Sequence, residues 1–269
     1  MSGLPQELID HIIDHVNDGK TLKACSLVCN QWSPRSRKHL FAQIEFTMGD
    51  LQRWCARTRP GPSGPSSLIE VLTVSEYRPS STSPSPTRLR SSILADAASH
   101  FQSFSALRAL EVRRWRGMNV DCALSILHSL GSSLENVTRL TLEKIAIHPS
   151  TLAMFVGHFP RLDNLSIPVI KILRTLEGTS DLYSGFRGEI VPTHPRGKFS
   201  VSSLSVYQVP KGVFEVITLL EPRFHQVTLA HVGYYAWRDY WPLVEACAES
   251  LEELHILANV IGEWIHLDL

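Results

Sequence analysis

Seven times between Ile69 and Ile256 the chain repeats a three-point apolar pattern, apolar-x-x-apolar-x-apolar, and this recurrence restricts the fold more than any other feature. The copies are Ile69, Leu72, Val74; Leu107, Leu110, Val112; Val137, Leu140, Leu142; Leu162, Leu165, Ile167; Val201, Leu204, Val206; Phe224, Val227, Leu229; and Leu251, Leu254, Ile256. The last two positions of each copy alternate as in a strand with one buried face. Counted on the middle residue, successive copies lie 38, 30, 25, 39, 23 and 27 residues apart, the long steps containing insertions. Apolar residues at helical spacing predict helices between them, over 93–104, 122–130, 151–159, 213–220 and 243–250. A single strand-helix unit cannot bury its own strand face and helix stripe, so neighbouring units must stack. The fold class expected is mixed α/β, and an ordinary α/β domain with a parallel sheet fits the same spacing.

A different pattern precedes the repeat. Pro5 suits the first turn of a helix, where a missing N–H costs nothing, and Gly19 suits a helix end. A helix is therefore expected from about residue 5 to 18, with Leu8, Ile12 and Val16 at four-residue steps and Ile9 and Ile13 beside them. A second apolar run, Leu22, Ala24, Cys25, Leu27 and Val28, leads to Trp32, and Pro34 marks a break before Leu40, Phe41, Ile44 and Phe46. Three short helices fit. So small a unit cannot enclose that many large side chains, so part of the stripe is expected to face another protein.

The order Leu4-Pro5, helical stripe, Val28-Cys29-x-x-Trp32 resembles the F-box. In F-box proteins such helices dock on a Skp-type adaptor, which joins them to a cullin and a ubiquitin-transfer module. The resemblance implies an adaptor-binding surface drawn from Leu4, Pro5, Leu8, Ile9, Ile12, Ile13, Val16, Leu22, Val28, Cys29 and Trp32. Cys29 would be a small buried hydrophobe there, and Trp32 either a docking anchor or part of the unit's own interior. Arg35, Arg37 and Lys38 read as a solvated face. The alternative is a helical cap packed wholly on the repeat.

The repeat itself resembles the divergent leucine-rich repeats found behind F-boxes of the fungal type, whose period is about 20 to 29 residues. The Asn or Cys that regular repeats carry after the strand is mostly missing. The resemblance implies an irregular solenoid of strand-helix units over 68–269, after an F-box over 1–47 and a linker and loop over 48–67. No clear polar cap follows the last copy, which leaves room for a longer protein.

Three stretches read as loops: 59–67, the Ser/Pro-rich 78–92, and 178–200, which mixes Gly and Pro with Tyr183, Phe186, Arg187, His194 and Arg196. Aromatic and arginine side chains on a long loop are typical of binding surfaces. Phe186 and Arg187 are therefore candidate target-binding residues, together with Arg108, Arg113, Arg139 and Asn164 beside the repeat leucines. Glu111, Thr141, Ser166, Ser205 and Thr228 share that inner face.

Lys plus Arg and Asp plus Glu are 26 each, so no overall field favours nucleic acid or an anionic membrane. No run of about eighteen apolar residues occurs. Five scattered cysteines do not make a disulfide framework, which fits a reducing cytosol or nucleus. His11 and His15, with Cys25 and Cys29, lack the usual zinc spacing, and no phosphate loop, nucleophile elbow or kinase signature is present. Neither a metal nor a cofactor is expected. The expectation is a non-catalytic substrate receptor of an SCF-type (Skp-cullin-F-box) ubiquitin ligase, with a Skp-type adaptor and a protein target as partners. A repeat scaffold unrelated to ubiquitin, and a hydrolase with a triad at strand C-termini, are the rivals.

Overall fold

A computed structural model describes residues 4–58, 64–76, 86–172, 201–207, 217, 223–232, 237–258 and 264–268. Three short helices open the chain: α1 (Gln6–Asp14), α2 (Gly19–Val28) and α3 (Ser33–Ala42). The first is shorter than its apolar stripe suggests. It closes with Val16 N–H donating to Ile13 C=O, and Asp18 caps the next helix by accepting from Thr21 N–H at 2.8 Å. Gly19 therefore begins α2 rather than ending α1, and Pro34 lies in the first turn of α3, where its missing donor is harmless.

Helix α3 runs without a linker into β1 (Gln43–Thr47), so Ile44 and Phe46 belong to a strand and not to the helical unit. The stretch expected as linker holds α4 (Met48–Arg57), capped by Thr47, and a 3-10 turn (Pro65–Leu68). There follow β2 (Val71–Ser75), α5 (Pro86–Phe101), β3 (Ala109–Arg113), β4 (Arg116–Met118), α6 (Val120–Leu130), β5 (Arg139–Ile147), α7 (Pro149–Gly157) and β6 (Asn164–Ile172). The last elements are β7 (Ser203–Tyr207), β8 (Gln226–Val232), α8 (Trp237–Cys247), β9 (Glu253–Ala258) and β10 (Trp264–Asp268). Helix α5 overlaps the Ser/Pro-rich stretch, because Pro86 at its start is compatible with a first helical turn. Of the helix expected over 213–220, only Ile217 is described, and it is buried.

The ten strands form one sheet whose order follows the chain, β1-β2-β3-β5-β6-β7-β8-β9-β10, with β4 beside β5. Every pairing is parallel except β9 with β10. The repeat residues stack in register: Leu72, Leu110, Leu140, Leu165, Leu204, Val227 and Leu254 form one continuous row, with Ile44 ahead of it on β1. The backbone repeats too. The carbonyls of Glu70, Arg108, Thr138, Ser202 and His225 each accept two N–H groups, one from the residue just before a following strand and one from that strand's first residue.

One core joins this row to Leu94, Ala97 and Phe101 of α5, Ile126 and Leu130 of α6, Leu152 and Phe155 of α7, and Leu243 of α8. Trp54 of α4 closes its first end, with Phe46, His100 and Phe104 around it at ring distances of 5.2, 5.0 and 5.9 Å. Helix α6 is bounded by Asn119, whose Oδ1 accepts from Cys122 N–H, and by Gly131 at φ +49°. A side chain at Gly131 would be strained and would press on Gln102. A separate small core of Ile9, Ile13 and Leu22, with Val16, Trp32 and Leu40 against it, holds the three opening helices together.

Candidate functional site

The apolar residues of α1 divide by face. Ile9 and Ile13 are closed into the small core, whereas Leu8 and Ile12 are 50% and 44% exposed. The division follows from helical spacing. Residues 9 and 13 lie one above the other toward α2 and α3, and residues 8 and 12 follow the neighbouring stripe. At the C-terminal end of α2, Leu27 and Val28 are 79% and 64% exposed, and Leu4 ahead of α1 is 54% exposed. These five are among seven large apolar side chains exposed in the described residues, so the exposure is concentrated on the helical unit. Gln6 Nε2 donates to Gln31 C=O at 3.2 Å, which ties the first turn of α1 to the α2–α3 junction.

An ion pair at the surface ties α1 to α3. Asp14, at the end of α1, accepts from Arg35 Nε at 2.6 Å and from Arg35 Nη2 at 2.5 Å, and meets His39 Nε2 at 2.7 Å. Hydrogen bonds from Arg35 and then His39 hold the Asp14 carboxyl well below the usual carboxylate range. Arg35 is thus a clamp from α3 rather than part of a plain solvated face, a role that residue type alone does not reveal. His11 and His15 stack edge to face beside Ile12, with ring centroids 4.5 Å apart.

Several expected docking residues therefore lie elsewhere. Ile9, Ile13 and Leu22 are buried in the unit's own core, and Val16 and Trp32 pack against it. Cys29 is exposed, not a buried hydrophobe, because α2 has already ended and Cys29 is extended as its C-cap. Pro5 is exposed beside Leu4. Leu27 was missing from the expected surface, although two consecutive apolar residues at a helix end cannot both face one core.

The second candidate surface is the sheet face opposite the helices. Glu111, Thr141, Ser166, Ser205, Thr228 and His255 occupy one cross-strand row there. Arg139 and Asn164 pair at the start of β5 and β6. Arg113 is engaged by Glu111 at 2.8 Å and Glu143 at 3.2 Å, and Lys144 meets Glu143 at 3.1 Å. The middle of the row is short, uncharged and half-exposed, and that allows another chain to approach closely. Arg108 is exposed in the turn before β3. Phe186 and Arg187, with the rest of 178–200, lie outside the described residues.

Other polar groups have structural settings. His148 Nδ1 accepts from Ser150 N–H and meets Ser150 Oγ at 2.7 Å, which caps α7. Burial pushes the Cys247 thiol up to about 11, leaving it protonated at neutral pH. Among the described residues no group of three or more His, Cys, Asp and Glu side chains converges on a metal position. No helix among them is long and apolar enough to cross a membrane. Compared with protein-family profiles and with curated protein sequences, the chain matches none.

Proposed function

We propose that the chain is an F-box substrate receptor of an SCF-type ubiquitin ligase. It docks a Skp-type adaptor, and through it a cullin, with the apolar surface of Leu4, Leu8, Ile12, Leu27 and Val28. It offers the sheet face opposite the helices to a protein target. The observation that carries this reading is the exposure of Leu8 and Ile12 on a helix whose other apolar face already has its own core. Full burial of one such side chain is worth about 1.5–3 kcal/mol, so several together can drive association. A cap serving only to seal the repeat would turn this stripe inward, which speaks against the rival scaffold reading.

The sequential parallel strands and the in-register leucine row support a divergent leucine-rich-repeat arc behind the F-box. At the position where regular repeats carry Asn or Cys, Trp115 and Ile145 are buried instead, so an apolar side chain stands where those repeats place a hydrogen-bonding one. In this reading the chain performs no transfer chemistry. It holds a target so that its lysines meet an activated ubiquitin at high effective concentration, in the cytoplasm or nucleus.

A pull-down of the purified chain with a Skp-type adaptor tests the reading, with a Leu8→Asp, Ile12→Asp double variant as the control. Binding by the wild type that the double variant loses, with unchanged circular dichroism, supports it. A wild type that does not bind overturns it.

A further inference from the structure

Two histidines share the exposed stripe of α1. Leu8, His11, Ile12 and His15 stand at i, i+3, i+4 and i+7, the spacing of one helical face, and all four are exposed. The two imidazole rings meet edge to face, with centroids 4.5 Å apart. His15, the C-cap of α1, donates from Nδ1 to His11 C=O at 2.8 Å, which leaves its Nε2 as the nitrogen that takes up a proton. A partner that covers Leu8 and Ile12 therefore covers both imidazoles as well.

The chain supplies these rings with no counter-charge. Asp14 is taken by Arg35 and His39 of α3, Asp18 accepts from Thr21 at the start of α2, and Asp10 accepts from Gln6. Glu7 lies one turn before His11, yet among the described residues no carboxylate pairs with either ring. Of the other cations on the packed helices, Lys38 of α3 reaches Glu70, and Arg37 of α3 with Lys20 and Lys23 of α2 bond neither ring among the described residues. Covered by a partner that fits the apolar stripe, an imidazolium there would lose its hydration with no opposite charge to replace it, and two so close would repel each other. Histidine is the side chain that changes charge between about pH 5 and 8.

We propose that His11 and His15 belong to the adaptor-docking surface and that docking requires both imidazoles to be neutral, so that mild acid releases the adaptor. The proposal rests on the adaptor reading and adds its regulation. Each imidazolium present before docking gives one proton to solvent as the surfaces close.

The test measures the dissociation constant of the purified full chain for a purified Skp-type adaptor at about pH 7.5 and about pH 5.5, at one ionic strength. The Asp14 carboxylate stays ionised across this range, so the clamp between α1 and α3 is not what changes. The expected result is binding that weakens by about tenfold for each imidazole that must be neutral. A His11→Gln, His15→Gln double variant should lose this weakening with its circular dichroism unchanged. His11→Gln alone, which keeps the His15 side chain, should lose part of it and stands in if the double variant does not fold. His39→Gln, at the remaining histidine of the helical unit, should keep it, since His39 meets Asp14. Wild-type binding that is equal at both pH values overturns the proposal and leaves the adaptor reading intact. So does a double variant that weakens with acid as the wild type does, which would put the titrating group elsewhere. A wild type that fails to bind at pH 7.5 overturns the adaptor reading and the proposal together.

Discussion

Ile12 and Ile13 are adjacent and chemically identical, yet one is 44% exposed and the other fully buried, and this division sets what each contributes. Truncating a buried Ile leaves a cavity, so Ile13→Ala should cost about 2–5 kcal/mol in urea denaturation. Ile12→Ala should change stability by no more than about 0.5 kcal/mol, its loss falling on adaptor binding instead. The amphipathic stripe was legible from four-residue spacing, but a stripe does not say which half faces inward. That depends on where α2 and α3 lie, and so on contacts between residues distant in sequence, such as Asp14 with Arg35 and His39. Asp14 also predicts a pH dependence. Its folded-state carboxyl titrates below the unfolded value of 3.8, so the clamp contributes above about pH 4 and is lost as the pH falls further. Circular dichroism during acid titration should show the helical unit of Asp14→Asn less stable at neutral pH and less sensitive to acid below pH 4 than the wild type. Equal acid sensitivity in the two proteins would remove Asp14 as the cause.

At the scale of the element, the recurring triplet gave the strands, because two apolar positions alternating beside a helical run have few other uses. All seven copies fall in one register row. Strand β1 escaped notice although Phe41, Ile44 and Phe46 have the spacing of the triplet, because they follow directly on α3 and read as a continuation of its apolar run. Helix α4 escaped because its short apolar set, Leu51, Trp54 and Cys55, lies next to a Gly/Pro-rich stretch that dominates the composition. A central member of the row should be costly to truncate: Leu140→Ala is expected to lose about 2–5 kcal/mol and to lower the melting temperature of the sheet. Gly131→Ala should cost about 1 kcal/mol or more, since Ala is strained at positive φ, and the same denaturation curves would register it.

Across the whole molecule, the direct passage of α3 into β1 matters most. Glu70 N–H donates to Ala42 C=O at 2.8 Å, Lys38 reaches Glu70 at 3.9 Å, and α3 packs on the 3-10 turn before β2. The exposed apolar surface and the sheet are thereby joined through packed structure rather than a free linker, which the sequence obscured by placing prolines and glycines soon after. The mixed α/β class and the parallel sheet were readable from the repeat. The surface that a target would use was readable only as alternate strand positions, because recognition on a sheet face depends on dispersed side chains rather than a motif. If the helical unit docks a Skp-type adaptor through its exposed apolar face, as proposed, amide hydrogen exchange of the full chain with and without the purified adaptor registers it. The adaptor is expected to slow exchange across residues 4–32 and to leave β3, β5 and β6 unchanged. Unchanged exchange in 4–32, or protection confined to the sheet, would contradict it.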